Sequence, residues 1–166
     1  MSGDAQNKSD EVWMREALAL ARAAGERDEP PIGALIVHAE RGVIGRSGNC
    51  RIEQSDATAH AETLAIREAC AAMGDWRLED CTLYVTLEPC PMCAGAILLA
   101  RVPRVVYGAA NVKFGACETK LRLLDPAIGW NHTVELAGGV LAGECAAVLS
   151  DYFSRKRLNK NHEGTM

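Results

Sequence analysis

The chain has 166 residues, 48% apolar and 24% charged, with a formal net charge of −4, a balance that fits one soluble globular domain and excludes low-complexity or disordered chains. The opening "MSGDAQNKSD" has no hydrophobic stretch, so neither a signal peptide nor a membrane anchor is expected. Seven cysteines, an odd number, read as reduced thiols of a cytoplasmic protein and not as a disulfide framework.

Residues 10–24 carry Val12, Trp13, Leu18 and Leu20 among Ala, Arg and Glu, which predicts a helix capped by Asp10 and stopped by Gly25. "RDEPP" turns the chain into an apolar strand at 32–37, and "AERG" joins that to a second strand at 43–46. The polar stretch "GNCRIEQSDA" reads as irregular chain. A helix follows from about Thr58 to Met73, ended by Gly74. "CTLYVTLE", residues 81–88, has strand composition, and "PCPMCAGAILLA" turns directly into a buried helix with proline in its first turn. Pro103 ends that helix and "RVVYGA" forms another strand, so strand, helix and strand predict a parallel crossover. A short strand at 133–136 and a helix from about Gly143 through the basic tail complete the chain, with the last residues frayed. The sum is a single domain over 1–166, its core at about 10–160 and both termini frayed. Its expected fold is three-layer α/β/α on a mixed sheet of about five strands.

"TAHAETLAIREAC" poses a geometric question at the mouth of its helix. Residues two apart diverge by about 200° around a helix axis, so His60 and Glu62 meet at one point only if the helix N-terminus is aimed there. Cys90 and Cys93, three apart at another helix start, lie on one face, and a helix N-terminus favours the thiolate form. One imidazole and two thiolates suit zinc with a fourth position open, the pattern of a catalytic site, and leave Glu62 as a base beside it. Each piece alone has a plainer meaning. His-x-Glu is a common surface pattern, and Cys-x-x-Cys also serves redox pairs and closed zinc knuckles. A knuckle needs further ligands, and Cys50, Cys70, Cys81, Cys117, Cys145, His38 and His132 supply no matching pair. The other cysteines read as small core residues. The tail "SRKRLNK" gathers Arg155, Lys156, Arg157 and Lys160, which by themselves also suit a solvated helix C-terminus.

"HAE" followed by "PCPMC" resembles the H-x-E…P-C-x-x-C signature of zinc-dependent nucleobase deaminases. "PPIGALIV", "DATAHAE", "VTLEPCPMCAGAI", "RVPRVVYGA", "NH" at 131–132 and "LAGECAAVLSDYF" are similar to the bacterial tRNA adenosine deaminases of the TadA type, over about Val12 to Arg157. That resemblance implies a cytidine deaminase-like fold in which His60, Cys90 and Cys93 hold one Zn²⁺ per subunit. Glu62 is then the catalytic proton carrier in hydrolysis of adenosine to inosine at the tRNA wobble position. It implies substrate contacts from Asn49, from the apolar pocket residues Ile32 and Leu87, and from the loop holding Asn111. Asn49 by itself also reads as a loop cap, and Ile32 and Leu87 as plain core. The resemblance further implies a homodimer, with the anticodon stem-loop of tRNA lying across both subunits and its bases splayed outward. In that setting Tyr152 and Phe153 offer stacking surfaces while Arg155, Lys156 and Arg157 meet phosphates.

One position departs from the family pattern. Where the tRNA enzymes carry aspartate in a "GA-x-D" loop, this chain reads "GAAN", placing Asn111 there, and "GACETKLRLLD" downstream also differs. A carboxylate at that point suits a ribose 2′-hydroxyl, so asparagine predicts weaker discrimination of RNA from DNA. Two other functions use the same motifs: deamination of a free base or nucleoside such as guanine or cytosine, and a non-catalytic deaminase-like RNA-binding subunit. The basic aromatic tail speaks for RNA against the first, and the intact Glu62 speaks for catalysis against the second.

Overall fold

The computed structural model of the chain describes residues 3–164. In chain order it comprises α1 (Gly3–Glu26), β1 (Gly33–His38), β2 (Gly42–Gly48), α2 (Ala61–Met73), β3 (Cys81–Leu87), α3 (Pro91–Leu99), β4 (Arg104–Ala109), β5 (Glu135–Ala137) and α4 (Ala142–Glu163). The strands form one sheet in the order β2-β1-β3-β4-β5. β1 runs antiparallel to both β2 and β3, whereas β3, β4 and β5 are parallel, as the crossover through α3 requires.

Strand alternation divides the core between the two faces of the sheet. Ala34, Ile36, Leu83, Val85 and Val105 face α2 and α3, meeting Ala65, Ala69, Ala94 and Ile97. Leu35, Tyr84 and Val106 face the other way, onto Met14, Ala17 and Leu18 of α1 and Cys145 of α4. Small residues let the layers approach closely. A Cβ on Gly33 would lie 2.0 Å from the Ala17 carbonyl oxygen, so α1 and β1 meet at a point where only glycine fits. The three-layer mixed sheet is the expected architecture. Among the described residues, no helix is long and apolar enough to cross a membrane.

Two helix starts differ from expectation. α1 reaches back to Gly3, and Asp10 is a buried residue inside it, not its cap. The Asp10 carboxylate accepts two bonds from the Arg104 guanidinium, at 2.8 Å each, and one from the Tyr84 hydroxyl at 2.9 Å. Burial alone would raise this carboxyl; hydrogen bonds from Arg104, Tyr84 and Gln6 outweigh burial and hold it below the ordinary carboxylate range. Asp10 therefore ties α1 to the sheet. α2 begins at Ala61, not Thr58, because Asp56 captures the Thr58 amide at 2.8 Å in an Asx-type turn. The expected fraying of the last residues, 165 and 166, lies outside the described residues, and α4 is helical to Glu163.

Candidate active site

The late start of α2 answers the geometric question. His60 is the N-cap, with extended φ −77° and ψ 152°, and Glu62 is the second residue inside the helix. Cys90 caps α3 in the same way, with φ −76° and ψ 173°, followed by Pro91 at the first helical position. Neither side chain makes a capping hydrogen bond to its own helix. Both turn instead toward a shared point: His60 Nδ1 lies 3.6 Å from Cys90 Sγ and 3.6 Å from Cys93 Sγ. The three ligand atoms all fall within 4.8 Å of one another.

This arrangement is electrostatically organised. The Cys90 thiol is pulled down to about 4, first by a hydrogen bond from Cys93 and, against burial, by His60. The His60 imidazolium is favoured by its bond to Cys90. Cys93, buried and donating to Cys90, is pushed up. Glu62 is buried beside them, and loss of water pushes its carboxyl up to about 7. Zinc bonds of about 2.1 Å to nitrogen and about 2.3 Å to sulfur, set tetrahedrally, separate those two donors by about 3.6 Å. The His60–cysteine distances of 3.6 Å match that spacing, so the donor set fits zinc in both chemistry and reach.

Asn49 follows β2 and is buried at the edge of this site. Its backbone N–H donates to the Ile32 carbonyl at 3.0 Å, and the next amide, of Cys50, donates to the Ala59 carbonyl at 3.0 Å beside His60. Ile32 and Leu87 are both partly buried and pack against the two opposite core clusters, Ile32 below α2 and α3 and Leu87 toward α1. A third wall is the loop 110–119. Glu88, buried just before Pro89-Cys90, accepts backbone N–H bonds from Asn111 (3.1 Å), Cys117 (3.1 Å), Glu118 (2.7 Å) and Thr119 (2.9 Å), and one from the Thr119 hydroxyl. Burial would raise its carboxyl, but those bonds hold it low. A Cβ on Gly115 would lie 2.6 Å from a Glu88 carboxylate oxygen, so the loop folds over the carboxylate only with glycine there. Asn111 is engaged within this loop: its Oδ1 accepts the Phe114 N–H at 3.0 Å, and its Nδ2 lies 3.4 Å from the Glu88 carbonyl oxygen.

The tail is arranged differently from its sequence-level picture. Tyr152 is 6% exposed, edge-on to Phe153, and its hydroxyl donates to the Asp28 carbonyl at 2.9 Å. Its ring packs α4 onto the turn after α1 and offers no open stacking face. Lys156 pairs with the Asp28 carboxylate at 2.5 Å and lies 5.7 Å from the Tyr152 ring centroid. Phe153 remains 46% exposed, and Arg155 and Arg157 are exposed. The structure thus brings together His60, Glu62, Cys90 and Cys93, ranges Asn49 and Asn111 on two walls, and leaves the tail on the opposite layer. Sequence reasoning missed Glu29 and Glu88, two buried carboxylates. The available signals were an acid before two prolines and an acid closing an apolar strand.

A convergent His/Cys/Cys cluster that could hold a metal ion thus lies beside a buried glutamate on a mixed five-stranded sheet. The MafB19-like deaminase family model matches residues 8–157, and the chain belongs to that family. Within it the chain is 49% identical over 152 residues to the tRNA-specific adenosine deaminase of Bacillus subtilis (strain 168), covering 91% of this chain and 92% of that protein. A solved tRNA:A34 deaminase, studied for A-to-I editing at the wobble position of transfer RNA, superposes with a TM-score of 0.76. It is 50% identical, over 82% of this chain and 97% of its own. The guanine deaminase from Nitrosomonas europaea superposes with a TM-score of 0.75 but is 25% identical, over 86% of this chain and 83% of its own.

Proposed function

We propose that the chain is a single-domain, zinc-dependent tRNA adenosine deaminase that converts adenosine to inosine at the wobble position. The observation that carries this reading is the juxtaposition of His60, Cys90 and Cys93 with the buried Glu62. The fold alone does not choose the substrate, since the two solved relatives superpose almost equally well. The identity of 50% to the tRNA-acting relative against 25% to the guanine deaminase favours tRNA over a free base.

His60, Cys90 and Cys93 would hold the zinc, which supplies Lewis acidity and makes water a nucleophile at neutral pH. Glu62 takes a proton from the attacking water and delivers it to the purine ring nitrogen, then assists transfer to the departing amine. Water and adenosine give inosine and ammonia. A carboxyl pushed up to about 7 is matched to that exchange near neutral pH. Asn49 orients the nucleotide, with Ile32 and Leu87 as apolar walls. The anticodon stem-loop spans a homodimer in the cytoplasm, where the cysteines stay reduced. Mass analysis of nucleosides from a tRNA pool incubated with the protein, alongside free guanine, cytosine and adenosine, tests the reading. Inosine from tRNA is expected, and turnover of guanine alone would overturn it.

The tail and Asn111 give two further expectations. Arg155→Ala with Arg157→Ala should weaken hairpin binding and flatten its salt dependence, by about 0.7 in log–log slope for each phosphate no longer neutralised. Zinc content and fold should be unchanged, because both side chains are exposed. Affinity and slope equal to the parent's would return these arginines to a solvated helix end. Asn111→Asp keeps an acceptor for the Phe114 amide and adds a charge suited to a ribose hydroxyl. It should raise the RNA-to-DNA ratio of kcat/KM on matched stem-loops by roughly tenfold or more, as a charge-assisted hydrogen bond is worth. An unchanged ratio would confine Asn111 to capping its own loop.

A further inference from the structure

The turn between α1 and β1 builds a polar device that the proposed chemistry does not use. Asp28 takes a left-handed conformation, φ 67°, which aspartate tolerates, and Glu29 precedes Pro30 and Pro31. A residue before proline is held extended, so this turn has little freedom in where it sends the Glu29 side chain. That side chain is 0% exposed. One carboxylate oxygen accepts the Asn49 Nδ2 amide at 3.1 Å, and the other accepts the Glu53 backbone N–H at 2.6 Å. Arg27 closes the same clamp from outside, donating to the Asn49 backbone carbonyl at 3.4 Å and pairing with the Glu53 carboxylate at 3.4 Å.

Burying a carboxylate costs free energy that packed apolar atoms would not, so a stability role alone explains this choice poorly. Its chemical consequence is specific. A carboxylate only accepts, so the Asn49 amide must turn its NH₂ end toward Glu29. The directions of the carbonyl end and of the second amide hydrogen are thereby fixed. We propose that Glu29 is a positioning residue that sets the orientation of the Asn49 amide and hence its recognition of the target nucleotide. This rests on the tRNA deaminase reading above.

Glu29→Gln tests it, because glutamine keeps the volume and can still accept the Glu53 amide. Glutamine also donates, so it tolerates either orientation of Asn49. RNA hairpin affinity is measured in a Glu62→Ala background, where no turnover intervenes, for Glu29→Gln, Asn49→Ala and the pair. We expect Glu29→Gln to weaken binding by roughly tenfold, the scale of one misdirected hydrogen bond that leaves its partner unsatisfied. In the Asn49→Ala background it should have no further effect, with zinc content unchanged throughout. A Glu29→Gln loss that persists without Asn49, or no loss at all, overturns the inference. A parent chain that neither binds nor converts the hairpin overturns the substrate reading, and this inference with it.

Discussion

Glu62→Ala is expected to lower turnover by roughly 10²-fold or more while retaining fold, zinc and hairpin affinity, the pattern for removal of a general acid/base. Glu62 lies inside α2, adjacent to a cluster whose side chains come from two cap positions and from Cys93, so its side chain can leave without removing any of the three proposed ligands. Its carboxyl is buried and held up to about 7 by loss of water, which means that burial disfavours its charged form. Removing the carboxyl therefore relieves a desolvation cost. Glu62→Gln, which keeps the volume but cannot exchange the proton, should be about as inactive as alanine and separates chemistry from packing. Single-turnover inosine formation, elemental analysis and hairpin binding on the same preparations make the measurement. Near-parent deamination by either variant would remove Glu62 from the proton path.

The parts of this molecule that are legible in the sequence are those with a local cause. The crossover β3-α3-β4 follows from a β-rich run, a proline-started apolar helix and a second apolar run, each visible within a few residues. The cluster is legible because both of its helix starts carry its side chains locally, in "HAE" and "PCPMC". The start of α2 is displaced from its expected place by the capture of Thr58 by Asp56, a side-chain bond that hydrophobic periodicity does not report. Asp10 imitates a cap in the sequence because its partners, Tyr84 and Arg104, are distant along the chain and meet it only in the folded sheet. Burial of Tyr152 depends likewise on the turn at Asp28. Glu29 and Glu88 escape detection for the same reason: an acidic residue looks solvated until the fold supplies its N–H donors. The polar interior of this protein is almost wholly long-range, and it is the part that composition cannot reveal.

Cys93→Ser should abolish stoichiometric zinc binding and, with it, deamination. Cys93 sits in the first turn of α3 with no solvent exposure, and its Sγ lies 3.6 Å from His60 Nδ1. A serine hydroxyl is a hard donor that stays protonated at neutral pH, so the soft two-thiolate set is broken and only His60 and Cys90 remain. Two protein ligands do not hold a catalytic zinc, for which three are usual. Loss of a direct ligand should weaken affinity by more than the roughly 10–100-fold typical of altering a ligand's outer partner. The substitution removes little volume, and α3 keeps Ala94 and Ile97 in the core, so the chain should still fold. Its midpoint of thermal unfolding should fall to that of the chelator-treated parent, since the metal binds only the folded chain. Cys117→Ser is the matched control: that thiol is also buried, stands outside the cluster, and should leave zinc in place. Elemental analysis that finds full zinc in Cys93→Ser, or none in Cys117→Ser, would reject the ligand assignment.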